Sequence, residues 1–361
     1  MMRLPWHGRS VPHAVLDILR GCNCRCEHCY NGGRDVLCKP MDELRAELSV
    51  LREHRNLRTI SLSGGEPLMH PRMLDIVSWL HHAEGLVVNT LTNGVLLDDD
   101  MAGRLADAGL EMITIHVQKG QRRPDGRDPD MPALLEDKGR IARRHGIFPA
   151  ADETIRADDS EEFRRFGLFM RATASFEYAL VTVAGDFGRI RPDVAQTDVD
   201  PSALIAALAS VGYEPSAFVG GRNRPSCPRW YVFQSTQALD SSGAERAWDR
   251  LRPSLLERAL LKLYAVFCGR SIHWMRSSSV KLKLRLLLNG LTGGHLATFL
   301  FALRSVLRGW RLVEKHIIVQ LPPYSLGDGV VEICDDCPDA TVRNGRLHPL
   351  CLGDLKWEVP L

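Results

Sequence analysis

The chain has 361 residues, a length that suits one large domain or two domains of ordinary size. Hydrophobic residues make up 45% and charged residues 25%, so a disordered chain is not expected. The formal net charge of +2 lacks the basic excess of a nucleic-acid binder, so no nucleic-acid partner is expected.

The first residues, MMRLPWHGRSVPHAV, lack the apolar run of a secretory signal, which favours a cytoplasmic location. Disulfide bonds are therefore not expected. Eight of the ten cysteines cluster at residues 22–38 and 334–351, and this clustering needs another explanation. Such clustering favours metal ligation.

Six short apolar runs alternate with amphipathic stretches between residues 14 and 185, which is the pattern of βα units. The predicted strands are residues 14–19, 59–63, 86–93, 112–118, 147–154 and 177–183. Because parallel strands joined by helical crossovers form a sheet or a barrel, we predict an α/β fold, a partial (β/α)6 TIM-type barrel, over residues 1–190. Functional groups should lie at the carboxyl ends of its strands.

Cys22, Cys26 and Cys29 form the pattern CxxxCxxC directly after the first predicted strand. Three thiolates can bind three irons of a [4Fe-4S] cluster and leave the fourth iron open. They can equally form a zinc site completed by Cys24 or His28. Taken alone, the cysteines leave both alternatives open.

A second motif, Gly64-Gly65-Glu66-Pro67, ends the second predicted strand. The glycines permit close backbone approach to a ligand, and Glu66 can accept hydrogen bonds from an amino group. With CxxxCxxC after the first strand and GGEP after the second, residues 14–185 resemble the radical SAM enzyme family.

The resemblance implies that the open iron binds S-adenosylmethionine (SAM) through its amino and carboxylate groups. One electron, from a reductant such as flavodoxin or ferredoxin, would cleave SAM to a 5′-deoxyadenosyl radical that removes a hydrogen atom from a substrate. Gly64, Gly65 and Glu66 would receive the methionine moiety. His28 stands where the family commonly has an aromatic residue that contacts the adenine.

Two further segments follow predicted strands. Thr92 and Asn93, in TLTNG, either approach the ribose or carboxylate of the cofactor or form an ordinary Asn-Gly turn. The polar loop after the fourth strand either closes over substrate through His116, Gln118 or Arg122 or is a plain solvated loop. Cys24, between the ligands, matches no ligand of the family and is expected to be a bystander.

Residues 191–330 are predicted to be a linker and a mostly helical insert, with helices extending to about residue 318. The uncharged run 286–303 is interpreted as two helices joined by a glycine turn. Between residues 276 and 316 eight basic residues accompany a single acidic one. This segment either contacts a membrane peripherally and admits a lipid-like substrate, or is an insert with a solvated basic face.

Residues 331–361 carry Cys334, Cys337 and Cys351, with a β-hairpin predicted at Asn344-Gly345. The segment resembles the SPASM or twitch extensions of radical SAM proteins, with a spacing similar to that of the molybdenum-cofactor cyclase branch. The resemblance implies an α+β extension with a second, auxiliary [4Fe-4S] cluster. Cys227 is the candidate for its fourth ligand, whereas Cys268 is expected to be a buried core thiol.

The predicted function is that of a radical SAM enzyme acting on a small-molecule or lipid-like substrate in natural-product or cofactor biosynthesis. A maturase that modifies a ribosomal peptide is the enzymatic alternative. The non-catalytic alternative is a metal-binding scaffold.

Overall fold

The computed structural model describes residues 1–4, 6–29, 35–124, 126, 130–185, 195–250, 253–269 and 278–353. The strands are β1 Met2–Arg3, β2 His13–Arg20, β3 Leu37–Cys38, β4 Thr59–Gly64, β5 Val87–Thr92, β6 Met112–Gln118, β7 Phe148–Arg156, β8 Tyr178–Ala184, β9 Pro215–Gly220, β10 Pro228–Leu239, β11 Glu245–Arg250, β12 Arg311–Gln320, β13 Tyr324–Gly327, β14 Val330–Glu332, β15 Ala340–Arg343 and β16 Arg346–Pro349. The helices are α1 Met41–His54, α2 Met73–Ser78, α3 Asp99–Asp107, α4 Met131–Arg144, α5 Ser160–Ala172, α6 Ser202–Ser210, α7 Leu255–Cys268, α8 Ser279–Thr292 and α9 Leu296–Leu307.

One large sheet organises the chain. Its strand order is β1-β9-β10-β12-β8-β7-β6-β5-β4-β2-β3, with β11 paired to β10. The run from β2 through β8 to β12 is parallel, while β3, β10 and β11 pair antiparallel to their neighbours. All six predicted strands are confirmed, and over the described residues the sheet is open, as expected for a partial barrel.

The two faces of the parallel strands differ in chemistry. One face packs against α1 to α6 in the main apolar core, which includes Ile60, Val88 and Ile113. The other face carries a row of polar side chains, because alternate strand residues point to opposite sides. Along this polar face Asn89 donates to Ser61 at 2.9 Å, and Thr114 donates to Asn89 at 3.1 Å.

The C-terminal residues form two small hairpins, β13-β14 and β15-β16. Asn344 and Gly345 have φ values of 51° and 73°, so the predicted turn between β15 and β16 is confirmed. The β15-β16 hairpin packs against β2, and Arg343 forms an ion pair with Asp17 on the polar face. The last hairpin therefore covers part of the polar face of the sheet.

The prediction of helices up to residue 318 is wrong, because Arg311–Gln320 is strand β12 in the middle of the sheet. Its β-branched residues Val313, Ile317, Ile318 and Val319 favour a strand, and they are buried there. Strands β9 to β11 also lie in the segment predicted to be mostly helical. The sheet thus continues past residue 190, and the domain boundary placed there stays a prediction.

The pair of helices joined at Gly293-Gly294 is confirmed as α8 and α9.

A buried lysine on β12 makes stability depend on pH. The Lys315 ammonium donates to the carbonyls of Thr173 and Phe176 at 2.7 and 2.6 Å, and burial lowers its pKa to about 8. Between about pH 8 and about pH 10 the unfolded chain binds more protons at this residue than the folded one, so stability rises with pH.

We expect the free energy of unfolding of the wild type, relative to Lys315→Met, to rise by up to about 3 kcal/mol across that range. Urea titrations at several pH values measure it. Lys119→Met, which removes an exposed lysine, is the control. The difference in free energy of unfolding between wild type and Lys119→Met should not rise across this pH range. Parallel pH curves for wild type and Lys315→Met would contradict the prediction.

Candidate functional site

The two sequence motifs meet at the carboxyl ends of β2 and β4. The backbone N–H of Gly65 donates to Leu19 O at 3.0 Å, and that of Glu66 donates to Gly21 O at 3.1 Å. A Cβ on Gly65 would lie 1.7 Å from Gly21 O, and one on Gly64, whose φ is +134°, would lie 2.1 Å from Leu19 O. The glycines thus allow close approach to the chain's own backbone directly before Cys22, and their predicted contact with a ligand stays a prediction.

The Glu66 carboxylate joins this turn to the end of β5. It accepts hydrogen bonds from Leu68 N at 3.0 Å, Thr92 Oγ1 at 2.7 Å and Asn93 N at 2.7 Å, and it is fully buried. Burial raises the pKa of Glu66 to about 7. Three internal donors already contact this carboxylate, so its predicted role toward an amino group of a ligand stays a prediction.

Cys22 lies among hydrogen-bond donors. Its sulfur accepts from Cys24 N at 3.3 Å and from Asn93 Nδ2 at 3.5 Å. The Cys24 thiol and these two groups lower the pKa of Cys22 to about 6, which favours the thiolate that metal ligation needs. Cys24 itself is buried, and its thiol pKa is raised by its contact with Cys22. In this geometry Cys24 and Asn93 both support the Cys22 sulfur.

Cys26 faces the end of β6. Gln121 Nε2 donates to its sulfur at 3.4 Å, and His116 also contacts it. His116 Nδ1 lies 2.9 Å from Asp152 Oδ2 on the neighbouring strand β7. Burial alone would favour neutral imidazole, but the Asp152 carboxylate raises the pKa of His116 to about 10. A cationic imidazolium therefore adjoins this thiol.

The loop after β6 folds over the cysteine loop. Arg122 exchanges two backbone hydrogen bonds with Arg25, both 2.9 Å long, and the Arg123 guanidinium donates to Asn93 O at 3.0 Å. Of the three residues predicted to face substrate, His116 contacts Cys26, Gln118 is buried, and Arg122 pairs through its backbone. Their contact with substrate stays a prediction.

The donor set fits an iron-sulfur cluster. Cys22, Cys26 and Cys29 offer three thiols, and soft thiolates are the ligands that select iron-sulfur clusters as well as zinc. The hydrogen bonds to the Cys22 and Cys26 sulfurs stabilise the thiolate form that ligation needs.

A cavity of about 440 Å³ opens at the carboxyl ends of β7, β8 and β12. His28, the residue before the exposed Cys29, lines one side of it. Its polar lining residues are His28, Arg156, Asp158, Gln196, Thr197, Asp198 and Tyr324. Ala157, Ala184, Val199, Pro322 and Pro323 also line the cavity, so its lining is mixed, and it adjoins the first cysteine loop through His28.

The second cysteine group, which comprises Cys334, Cys337 and Cys351, lies on the polar face of the sheet. Cys334 and Cys337 are buried beside Trp230 and Ile318, and their thiols contact each other. Burial and the neighbouring Cys337 raise the thiol pKa of Cys351. The thiols of Cys334, Cys337 and Cys351 are thus neighbours, although Cys351 is fourteen positions beyond Cys337 in the sequence, and their role as ligands stays a prediction.

The Arg55 guanidinium holds this segment in place. Its Nη2 donates to Cys337 O at 2.5 Å, and its Nη1 donates to His13 O at 2.7 Å and Pro338 O at 3.2 Å. Arg55 is buried and adds positive charge near Cys337.

The two remaining cysteines of interest lie at the surface. Cys227 is exposed, but its carbonyl accepts from Gly221 N, and Gly221 pairs with Cys334, so its loop adjoins the second group. Its role as a fourth ligand stays a prediction. The prediction that Cys268 is a core thiol is wrong, because it is exposed at the end of α7, a helix with no buried residue among those described.

Two carboxylates, the buried Asp152 and the half-buried Asp339, lie between the two cysteine groups. Burial raises the pKa of Asp339 to about 7, and the negative charge of Asp152 adds to the effect. His13 Nε2 lies 3.8 Å from Asp339 Oδ1. Sequence reasoning missed Asp152, Asp339 and Arg55, because single polar residues in strands and loops carry no motif; only alternation along β7 hinted that Asp152 faces inward.

Part of the chain is similar in sequence to known proteins. Residues 16–150 match the family model described as the Radical SAM superfamily. A probable GTP 3′,8-cyclase from Methanococcus maripaludis is 30% identical over 114 residues, which are 31% of this chain and 38% of that protein. Molybdenum cofactor biosynthesis protein 1 from Mus musculus is 34% identical over 145 residues, 39% of this chain and 21% of that protein.

The chain thus spans well under half the length of these curated relatives. Among solved structures, Streptococcus suis SuiB aligns at 15% identity with a TM-score of 0.40, over 55% of this chain and 44% of that one. The match at residues 16–150 contains both CxxxCxxC and GGEP. Residues 16–150 therefore form a radical SAM domain.

Proposed function

We propose that the chain is a radical SAM enzyme in which Cys22, Cys26 and Cys29 bind three irons of a [4Fe-4S] cluster. The observation that carries the proposal is the junction of the two motifs, where Gly65 and Glu66 hydrogen-bond to the residues directly before Cys22. When bound, the cluster and SAM would supply a 5′-deoxyadenosyl radical for hydrogen abstraction.

In this proposal the chain's own residues prepare the site. Asn93 and Gln121 donate to the Cys22 and Cys26 sulfurs, which stabilises negative charge on them. The loop after β6 is held against the cysteine loop by the two backbone hydrogen bonds between Arg25 and Arg122. Gly64, Gly65, Glu66, Thr92 and Asn93 would form the wall for the methionine and ribose, and His28 would contact the adenine.

We further propose that Cys334, Cys337 and Cys351 bind an auxiliary [4Fe-4S] cluster, with Cys227 as a candidate fourth ligand. Convergence of three thiols beside Arg55 supports it, because Arg55 and the thiol burial suit an anionic, water-excluded cluster. Residues 1–190 would then be the catalytic unit, 191–330 the linker and insert, and 331–361 the auxiliary segment.

For the substrate we propose a small polar molecule of cofactor or natural-product biosynthesis. The cavity near His28 has a volume of about 440 Å³, and charged and polar side chains line it beside apolar ones, which suits a small molecule with polar groups. One relative is named a probable GTP 3′,8-cyclase, but the lining of this cavity does not favour GTP. Among the described lining residues the one guanidinium is Arg156, already paired with Asp158, whereas a triphosphate needs several cations.

The test is anaerobic reconstitution with iron and sulfide, followed by an assay of 5′-deoxyadenosine release from SAM under a strong reductant. We expect about eight irons per chain and release of 5′-deoxyadenosine. Cys26→Ser should abolish release, whereas Cys38→Ser, at an exposed cysteine on β3, should leave it unchanged.

Zinc in place of iron, without release, would favour the metal-binding scaffold and overturn the proposal. A release rate that rises on addition of GTP would make GTP the substrate and contradict the argument from the cavity lining. Release that rises only with a peptide would favour the peptide maturase.

A further inference from the structure

The helices α7, α8 and α9 present an exposed apolar surface, which we call the leucine face. It consists of Leu255, Leu256, Leu260, Leu263, Val266, Phe267, Val280, Leu284, Leu288, Leu291, Leu296, Leu300, Val306 and Leu307. On α7 and α8 these residues recur every three or four positions, so each helix carries an apolar stripe. Phe267 is 83% exposed and Leu255 78%.

Helices α8 and α9 are nevertheless packed on their other side, whereas the described residues of α7 include none that is buried. Leu282, Leu286, Phe301 and Ala302 are buried against Leu312 and neighbouring residues of the sheet. Arg285 pairs with Glu257 and so links α8 to α7. The leucine face is therefore the outer surface of a folded insert, and nothing in the described part of the chain covers it.

Positive charge accompanies this face. Residues 253–269 and 278–311 contain eight Lys and Arg residues and one acidic residue, Glu257, which is paired with Arg285. The exposed cations are Arg258, Lys262, Lys281, Arg304, Arg308 and Arg311. Within the described residues none of these six has an ion pair, so their charge is available to a partner.

The helices are too short to cross a bilayer. Each has 12 to 14 residues, about 21 Å at most at about 1.5 Å per residue, against a hydrocarbon core of about 30 Å. In agreement, none of the helices in the described residues has the length and hydropathy of a membrane span. Apolar stripes flanked by cations are typical of helices that lie in the plane of a membrane surface.

We propose that the leucine face docks on the surface of an anionic lipid bilayer, with the leucines and Phe267 in the acyl boundary and the cations at the lipid phosphates. A second copy of the chain fits less well, because a two-fold contact would bring the cations of both copies together. The proposal does not depend on the radical SAM activity.

The test is co-sedimentation of the full chain with vesicles of phosphatidylcholine mixed with phosphatidylglycerol, and with vesicles of phosphatidylcholine alone. We expect binding to the anionic vesicles that weakens as salt is added. Lys262→Glu combined with Lys281→Glu should reduce the partition coefficient at least about tenfold, since each basic residue near the surface contributes about 1 kcal/mol.

Phe267→Ser should also reduce binding by about tenfold. The matched controls are Arg140→Glu, an exposed cation on α4, and Leu168→Ser, an exposed leucine on α5; both should bind like wild type. All four variants should retain wild-type 5′-deoxyadenosine release, which separates this test from that of the proposed function.

Equal binding to both kinds of vesicle, no binding to either, or variants that bind like wild type would overturn the proposal. If light scattering instead shows a dimer of the wild type that Phe267→Ser dissociates, without vesicle binding, the leucine face belongs to a second copy.

Discussion

Gly65→Ala should prevent assembly of the first cluster and lower the free energy of unfolding by about 3 kcal/mol or more. The new Cβ would lie 1.7 Å from Gly21 O, which is backbone and cannot rotate away. Either β4 or the start of the cysteine loop would have to move, and with it Cys22. Iron content after reconstitution and urea denaturation of the apoprotein measure the two effects.

Gly85→Ala is the matched control. Gly85 has a φ of +68°, but a Cβ there meets no atom within 4 Å, so alanine carries only the cost of its backbone conformation, about 1 kcal/mol. This variant should bind wild-type amounts of iron. A Gly65→Ala protein with normal stability and normal iron would show that the approach of the two motifs does not position Cys22.

Arg55→Met should lower the free energy of unfolding by about 3 kcal/mol and reduce the iron of the auxiliary group. The substitution keeps much of the apolar volume but removes the donors to the carbonyls of His13, Cys337 and Pro338. A buried carbonyl left without a partner costs about 1 to 3 kcal/mol. Denaturant titration of the apoprotein measures the first effect and iron per chain the second.

Arg52→Met is the control, because Arg52 lies one turn earlier on α1 with its guanidinium at the surface, where it pairs with Glu84. That exposed pair contributes at most about 1 kcal/mol. We expect Arg55→Met to keep 5′-deoxyadenosine release from the first cluster while losing about four irons. Full iron content in Arg55→Met would show that Arg55 does not support the second cysteine group.

Much of the fold could be predicted because its signals are local. The six parallel strands are short apolar runs separated by amphipathic helices, and α8 and α9 are divided by Gly293-Gly294. Strand β12 was mistaken for helix because it follows two apolar helices and contains Glu314 and Lys315, which do not suit a central strand by their chemistry alone. Both can be buried there because their charges have partners: Glu314 pairs with Arg285, and Lys315 donates to two carbonyls.

The cysteines, the GGEP turn and the leucine stripes were determined by the sequence, because each is a set of residues close together along the chain. Only the tertiary structure decided which groups donate to Glu66 and which residue adjoins Cys26. It also decided that Arg55 binds the backbone of Cys337, 282 positions away in the sequence. The physical reason is that hydrogen bonds and charges act over a few ångströms in space. Side chains such as Asp152 and Arg55 acquire their partners only when the sheet aligns its strands and the C-terminal segment packs on its polar face.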